Sequence, residues 1–176
     1  MGSTIYSKNI KKTKTFFTIS EDKIKTGKQD ANFATHNGKY KFFTCSEESF
    51  LCDDYEFEGK NILIAGNGNF NVKFYDGKFN AYQRTYIIKN DDIFGNLFYT
   101  YFYNTQSLLK GANGSIIKFM TIGMLKDIQI PCFSKEINNI LNSVVLRISN
   151  INEETNKLNN LKNKLLPLLI NGQLEV

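Results

Sequence analysis

Residues 134–170 constrain this chain more than any other stretch. Apolar side chains recur at Ile137, Leu141, Val144, Ile148 and Ile151, in alternating steps of four and three that mark one seam of a coiled coil. Beyond Thr155 the seam slips by about one position and resumes through Leu158, Leu161, Leu165 and Leu168. Asn, Lys, Glu and Ser fill most of the positions between, so the opposite face meets solvent. At ~1.5 Å per residue the helix reaches roughly 55 Å, longer than a small domain is wide. Such a seam is covered either by folding back on the chain's own domain or by a second helix. Its persistence beyond three heptads favours the second helix, with Ile137, Leu141, Val144, Ile148, Ile151, Leu158, Leu161 and Leu165 as the contact residues.

The remaining residues have room for one ordinary domain, so the chain divides into residues 1–133 and 134–176. The break at Pro131 to Ser134 is too short for a free linker. A composition of 41% hydrophobic and 22% charged residues is that of a globular protein. The formal charge of +5 points to an anionic partner, nucleic acid or a membrane surface. Only Arg84 and Arg147 are arginines among the 22 basic residues. No leader-like segment and no apolar run of ~18 residues occurs, which predicts a soluble intracellular protein with no membrane association. Cys45, Cys52 and Cys132 are three thiols without a C-x-x-C pair and His36 is the lone histidine, so neither a disulfide framework nor a metal site is expected.

Before the helix, residues 1–20 combine Lys8, Lys11, Lys12 and Lys14 with Phe16, Phe17 and Ile19, a basic arm running into a strand. Strands are expected around 40–44 and 61–65, the latter an apolar run between Gly59 and Gly66. Residues 71–75, Asp76-Gly77 and 78–88 form the pattern of a hairpin with a two-residue turn. That turn would put Val72, Phe74, Phe79 and Ala81 on a core face, and Asn71, Lys73, Tyr75, Lys78, Asn80, Tyr82 and Arg84 on an accessible one. Asp91-Asp92 can cap a helix to about Lys110, residues 116–120 are strand-like, Thr121 can cap a helical turn, and residues 128–130 make a last strand. Strands and helices lack a regular β-α-β rhythm. The fold class is therefore mixed α+β: a β-rich globular domain followed by a long C-terminal coiled-coil helix.

Catalytic motifs are missing. Gly66-Asn67-Gly68 begins like a dinucleotide fingerprint, but Asn71 stands where the third glycine belongs. There is no phosphate-binding loop, no nucleophile motif and no Asn/Asp-Pro-Pro-aromatic methyltransferase loop, so the chain is expected not to be an enzyme. The accessible hairpin face is the positive feature. Lys73 and Arg84 suit phosphates or a guanine edge, Asn71 and Asn80 suit base edges, and Tyr75 and Tyr82 can stack. A plain solvated sheet face would show the same alternation. The turns carrying Asn67, Asn69, Asn113 and Ser115 are further candidates, as DNA-facing loops or as ordinary turns.

Several stretches, taken in order, resemble the specificity subunits of type I restriction-modification systems. They are Gly38-Lys39-Tyr40-Lys41-Phe42-Phe43-Thr44, Ile62-Leu63-Ile64-Ala65 with its glycine-rich loop, and Tyr75-Asp76-Gly77-Lys78-Phe79-Asn80-Ala81-Tyr82-Gln83-Arg84. Gly114-Ser115 with Ile122, Leu125, Ile128 and Pro131 follows, and Leu165-Leu166-Pro167-Leu168-Leu169-Ile170-Asn171-Gly172-Gln173 closes the series. Ser134-Lys135-Glu136-Ile137 departs from the family's Glu-Gln at the start of the helix. The resemblance implies a target recognition domain that reads one half of a bipartite site on double-stranded DNA, followed by a spacer helix. It implies methyltransferase subunits as partners that themselves bind S-adenosylmethionine, so that this chain carries no cofactor, with nuclease subunits as possible further partners. It also implies a second specificity half packed antiparallel through the helix, which makes this either a half-size subunit that homodimerises or one half of a longer subunit. A prokaryotic cytoplasmic location goes with that reading. The competing expectation is a coiled-coil assembly or adaptor protein with no sequence readout.

Overall fold

The computed structural model describes residues 1–110 and 119–171. Four helices and two sheets make up these residues: α1 (Gly2–Ile10), α2 (Phe94–Lys110), α3 (Ile122–Lys126) and α4 (Lys135–Ile170), with strands β1 (Phe16–Phe17), β2 (Ile24–Thr26), β3 (Tyr40–Phe43), β4 (Phe50–Cys52), β5 (Phe57–Ala65), β6 (Val72–Ala81), β7 (Thr85–Lys89) and β8 (Ile130–Pro131). The chain is the expected mixed α+β domain with a long C-terminal helix. Six strands form one sheet in the order β2-β7-β5-β6-β3-β4, in which only β3 and β6 run parallel; β1 and β8 pair separately.

The predicted Asp76-Gly77 hairpin is not formed. β6 runs straight through that dipeptide, and the real hairpin is β5 to β6, joined by residues 66–71. Gly77 lies opposite Gly59 in the ladder, and both have positive φ, 155° and 89°. Two facing glycines remove the Cβ atoms that would resist a sharp bend. The bend is required by the connectivity. Phe57 pairs with Phe79 at one end of β5, while Ala65 pairs with Thr85 at the other. Straight strands would hold those ends roughly 26 Å apart at ~3.3 Å per residue. The three residues 82–84 joining Ala81 to Thr85 can span only about half of that. The sheet therefore curls, and Tyr82 and Thr85 close the turn with a 2.8 Å backbone hydrogen bond.

Curling gives the sheet two apolar faces. The concave one encloses Phe43, Phe57, Leu63, Phe79, Ala81 and Ile87, with Tyr75 against them. The convex one presents Ile24, Ile62, Ile64 and Ile88, with Val72 and Phe74, to the helices, where Leu97, Tyr101, Leu125, Leu141 and Val145 complete the core. Tyr75 thus shares a face with Phe79, and Phe74 does not. The predicted grouping fails because a turn inserted where none exists shifts the period-two alternation by one residue.

Two other expectations change. Residues 2–10 are not an extended arm but helix α1, whose Tyr6 is 2% exposed, donates or accepts a 2.9 Å hydrogen bond with the Thr100 hydroxyl, and stacks on Tyr99 and Tyr103. The turn leading into α2 is held not by Asp91 or Asp92 but by Asn90, whose side-chain oxygen accepts from the amides of Asp92 and Ile93, both at 3.0 Å, just before the helix begins at Phe94. Residues 116–118 lie outside the described residues. Thr121 does cap α3, accepting from the Met124 amide at 3.3 Å.

Helix α4 is capped by Ser134 and runs 36 residues. Its first turns belong to the domain: Leu141 is fully buried and Val145 2% exposed, packed with α1 and α2. Leu141, expected in the partner seam, is core. A methyl group at Gly95 would stand 2.4 Å from the Leu141 carbonyl carbon, so glycine is what lets α2 and α4 touch backbone to backbone. Asn142 completes the crossing. Its oxygen accepts from the Gly95 amide and its nitrogen donates to the Asp92 carbonyl, both at 2.7 Å. Every residue from Asn150 to Ile170 is exposed.

Candidate nucleic-acid interface

Because the sheet curls, three turns distant in sequence meet at one end of it: residues 44–46 after β3, 66–71 between β5 and β6, and 82–84 between β6 and β7. Backbone groups tie them together. The Gly66 amide donates to the Arg84 carbonyl at 2.8 Å, and the Cys45 thiol donates to the same oxygen at 3.4 Å. Asn71 donates its side-chain amide to the Cys45 carbonyl at 2.8 Å. From the following segment the Met120 amide donates to the Gly66 carbonyl at 2.7 Å, and the Tyr86 hydroxyl to the Met120 carbonyl, also at 2.7 Å.

Beneath the 66–71 turn Phe70 is fully buried although its φ is +45°. Left-handed backbone is unfavourable for a phenylalanine, and burial of the ring is what holds it there. The turn is thus pinned from below as well as from its sides. Its upper surface is left to Asn69, Gln83 and Arg84, all exposed, with Asn67 and Tyr82 half-buried. Among the described residues the Arg84 guanidinium enters no ion pair; the two salt bridges are Lys28 with Glu56, and Lys126 with Glu21. A cation and several amides on a rigid surface, without internal partners, can serve an anionic backbone and base edges.

The other sequence-predicted residues are dispersed. Asn80 is 1% exposed and its oxygen accepts from the Ala81 amide at 2.9 Å, so it cannot reach a ligand. Lys78 is exposed on another flank, its ammonium 4.5 Å from the centre of the Tyr55 ring. Lys73 and Tyr75 open into a groove of about 940 Å³ between β6 and α4, whose helix side carries Asn152, Asn156, Asn159 and Asn163. Lys73 donates to the Ser46 carbonyl and sits 5.8 Å from the Phe43 ring centre. Burial lowers its pKa to about 8, against the opposing pull of Cys45 and Glu47. Burial raises the Tyr75 hydroxyl, and the facing Glu153 carboxylate adds to the rise. Asn113 and Ser115 lie outside the described residues.

Two exposed residues of the same end escaped the sequence reading. Gln83 sits between Tyr82 and Arg84 and was passed over because the wrong turn fixed the alternation. Phe119 is 59% exposed and bridges to Asn67 across the turn; no local pattern sets it apart. Among the described residues no three His, Cys, Asp or Glu side chains gather as a metal site.

This architecture has known counterparts. The chain is 40% identical over 109 residues to the type I restriction enzyme EcoDI specificity subunit of Escherichia coli, an alignment covering 61% of the chain and 24% of that relative. The type I restriction-modification S subunit from M. genitalium superposes with a TM-score of 0.60 at 20% identity, over 88% of this chain and 43% of that one. The chain resembles a type I specificity subunit in sequence and in fold. The HsdS subunit from Thermoanaerobacter tengcongensis gives a TM-score of 0.53 at 12% identity, over 98% of this chain and 50% of that one. A further structure, solved for complex assembly and conformational transition of the type I R-M system, gives 0.59 at 12% identity, over 93% and 50%. The chain thus spans about a quarter of the curated specificity subunit and up to half of the solved ones. No family model matches.

Proposed function

We propose that the chain is a DNA-recognition unit of a type I restriction-modification enzyme. Residues 1–133 read one half of a bipartite site, and the helix within 134–176 holds that reader at a set distance from a second one. The unit catalyses nothing itself. Methyltransferase subunits bring S-adenosylmethionine and act on the adenine, and nuclease subunits can join the assembly in the cytoplasm of a prokaryote. Among the described residues no helix is long and apolar enough to cross a membrane.

The observation that carries the reading is the rigid cluster of turns bearing Asn67, Asn69, Asn71, Tyr82 and Arg84, in a domain that resembles specificity subunits. Direct readout needs donors and acceptors held in fixed relation, and here backbone hydrogen bonds between the turns hold them. Phosphate contacts from Lys and Arg supply affinity that falls with salt.

Selection from a randomised duplex pool, with and without the methyltransferase subunits, tests the proposal. A short enriched motif is expected. Asn69→Ala with Arg84→Ala should abolish the enrichment and leave the melting temperature unchanged, since both side chains are exposed. Equal binding to all sequences would favour an adaptor without readout, and an enriched motif indifferent to the double substitution would remove the reading from this surface.

A further inference from the structure

Phe119 is the most exposed phenylalanine among the described residues, at 59% against 46% or less for the others. Its backbone is nevertheless held in place. Phe119 bridges antiparallel to Asn67. The next residue, Met120, is 3% exposed, with its amide bonded to the Gly66 carbonyl at 2.7 Å and its carbonyl accepting from the Tyr86 hydroxyl at 2.7 Å. Burial and Cys45 raise the pKa of that hydroxyl and the Arg84 guanidinium opposes the rise, which sets the cation close to the same link. Asn69, Gln83 and Arg84 are exposed on the neighbouring turns. An apolar side chain on a fixed backbone thus stands among amides and a cation.

Residues directly opposite each other across an antiparallel bridge carry their side chains on one face, with Cβ atoms about 5 Å apart. Phe119 and Asn67 are such a pair, one apolar and one amide. A duplex offers an apolar side chain two kinds of surface. Base faces lie inside the stack, and reaching one means prising open a step. The 5-methyl group of thymine, by contrast, is displayed in the major groove without any opening. It lies in the same base pair as the N7 and N6 atoms of adenine, which asparagine reads with its acceptor and donor together. Cytosine has no such methyl group, and the minor groove displays none. The bridged pair of Phe119 and Asn67 therefore matches the two halves of an A·T edge.

We propose that Phe119 reads the 5-methyl group of a thymine in the major groove, with Asn67 directed to the adenine paired with it. The assignment rests on the DNA-reader proposal and adds to it the identity of one base pair and the atom by which that pair is told from its competitors. Rigidity is what makes so small a group legible. A methyl contact is lost when the ring can move away from it, and the bonds on either side of Phe119 and Met120 prevent the backbone from doing so.

Fluorescence anisotropy with synthetic duplexes tests the assignment. The motif that the full chain selects from a randomised pool is rebuilt with each thymine in turn replaced by uracil, which differs only in lacking the methyl group. At one position the replacement should weaken binding about fourfold, the worth of one methyl group removed from water. Phe119→Ala should bind the thymine and uracil forms of that duplex equally, whereas Phe119→Leu, which keeps an apolar side chain, should still prefer thymine. Both variants should melt at the temperature of the unmodified protein, because the side chain is exposed. A motif without A·T pairs, uracil tolerated at every position, or a uracil penalty that survives Phe119→Ala would each overturn the proposal. Uracil tolerated everywhere while Phe119→Ala weakens all duplexes alike is the result a ring inserted between bases would give, and it too overturns the methyl contact. Each of these results includes an enriched motif and leaves the reader standing, whereas the absence of any enriched motif would refute the reader and the Phe119 assignment together.

Discussion

Replacing Asn142 by alanine tests whether the long helix α4 is keyed to the domain by specific bonds or merely leans on it. The Asn142 oxygen is the acceptor for the Gly95 amide, which lies in the first turn of α2 and so has no partner within its own helix. Gly95 is buried, so the amide cannot turn to water. Stranding it costs about 2 kcal/mol. The second bond, to the Asp92 carbonyl, contributes little because Asp92 is exposed and water can replace the donor. Alanine favours helix over asparagine by about 0.6 kcal/mol, leaving a net loss near 1.4 kcal/mol. For a chain of this size that lowers the melting temperature by roughly 5 °C. Asn142→Asp keeps an acceptor at the positive end of α2, and above about pH 5 it should retain most of the lost stability. Urea unfolding followed by tyrosine fluorescence measures both variants. A cost for alanine below about 0.5 kcal/mol, or aspartate as damaging as alanine, would refute the account.

Leu141→Ala should cost about 2–5 kcal/mol in the same urea assay, because the side chain is fully buried, whereas Leu158→Ala should leave domain stability unchanged and weaken only pairing. Lys73 binds its proton less tightly folded, at about 8, than its ordinary 10.5, so the unfolded chain holds more protons between those values. Stability of the unmodified protein relative to Lys73→Met should therefore rise from pH 8 towards 10.5; a flat difference would show that the ammonium is not desolvated. Inserting one heptad into the exposed part of α4 should change the preferred spacing between half-sites and leave the half-site bases unchanged. An unaltered spacing in duplex selection would remove the helix from the role of spacer.

What was legible in the sequence was what is periodic or local. Thirty-six residues of helix, capped at Ser134, follow from the apolar steps of four and three. The runs expected as strands at 40–44 and 61–65 lie in strands for all but Thr44, and Thr121 became a cap, because neighbours in the chain suffice to specify them. The turn at Gly66 to Asn69 was likewise visible as polar residues after such a run, whereas Asn71 and Arg84 were expected on strand faces.

Tertiary structure decided everything that depends on pairing across the chain. Asp76-Gly77 is as good a turn signal as the sequence holds, yet Gly77 serves a bend opposite Gly59, because the ladder between β5 and β6 and the short link to β7 force the sheet to curl. That one change moved Tyr75 towards the core, buried Asn80 and gathered three turns into a single surface. Leu141 and Leu158 are equivalent in any seam read from spacing. Only the backbone contact at Gly95 and the burial of Leu141 show that the first faces the domain, whereas the second is exposed. Periodicity fixes which residues share a helix face or a strand face, whereas register and crossing angle, set by distant residues, fix where each face points.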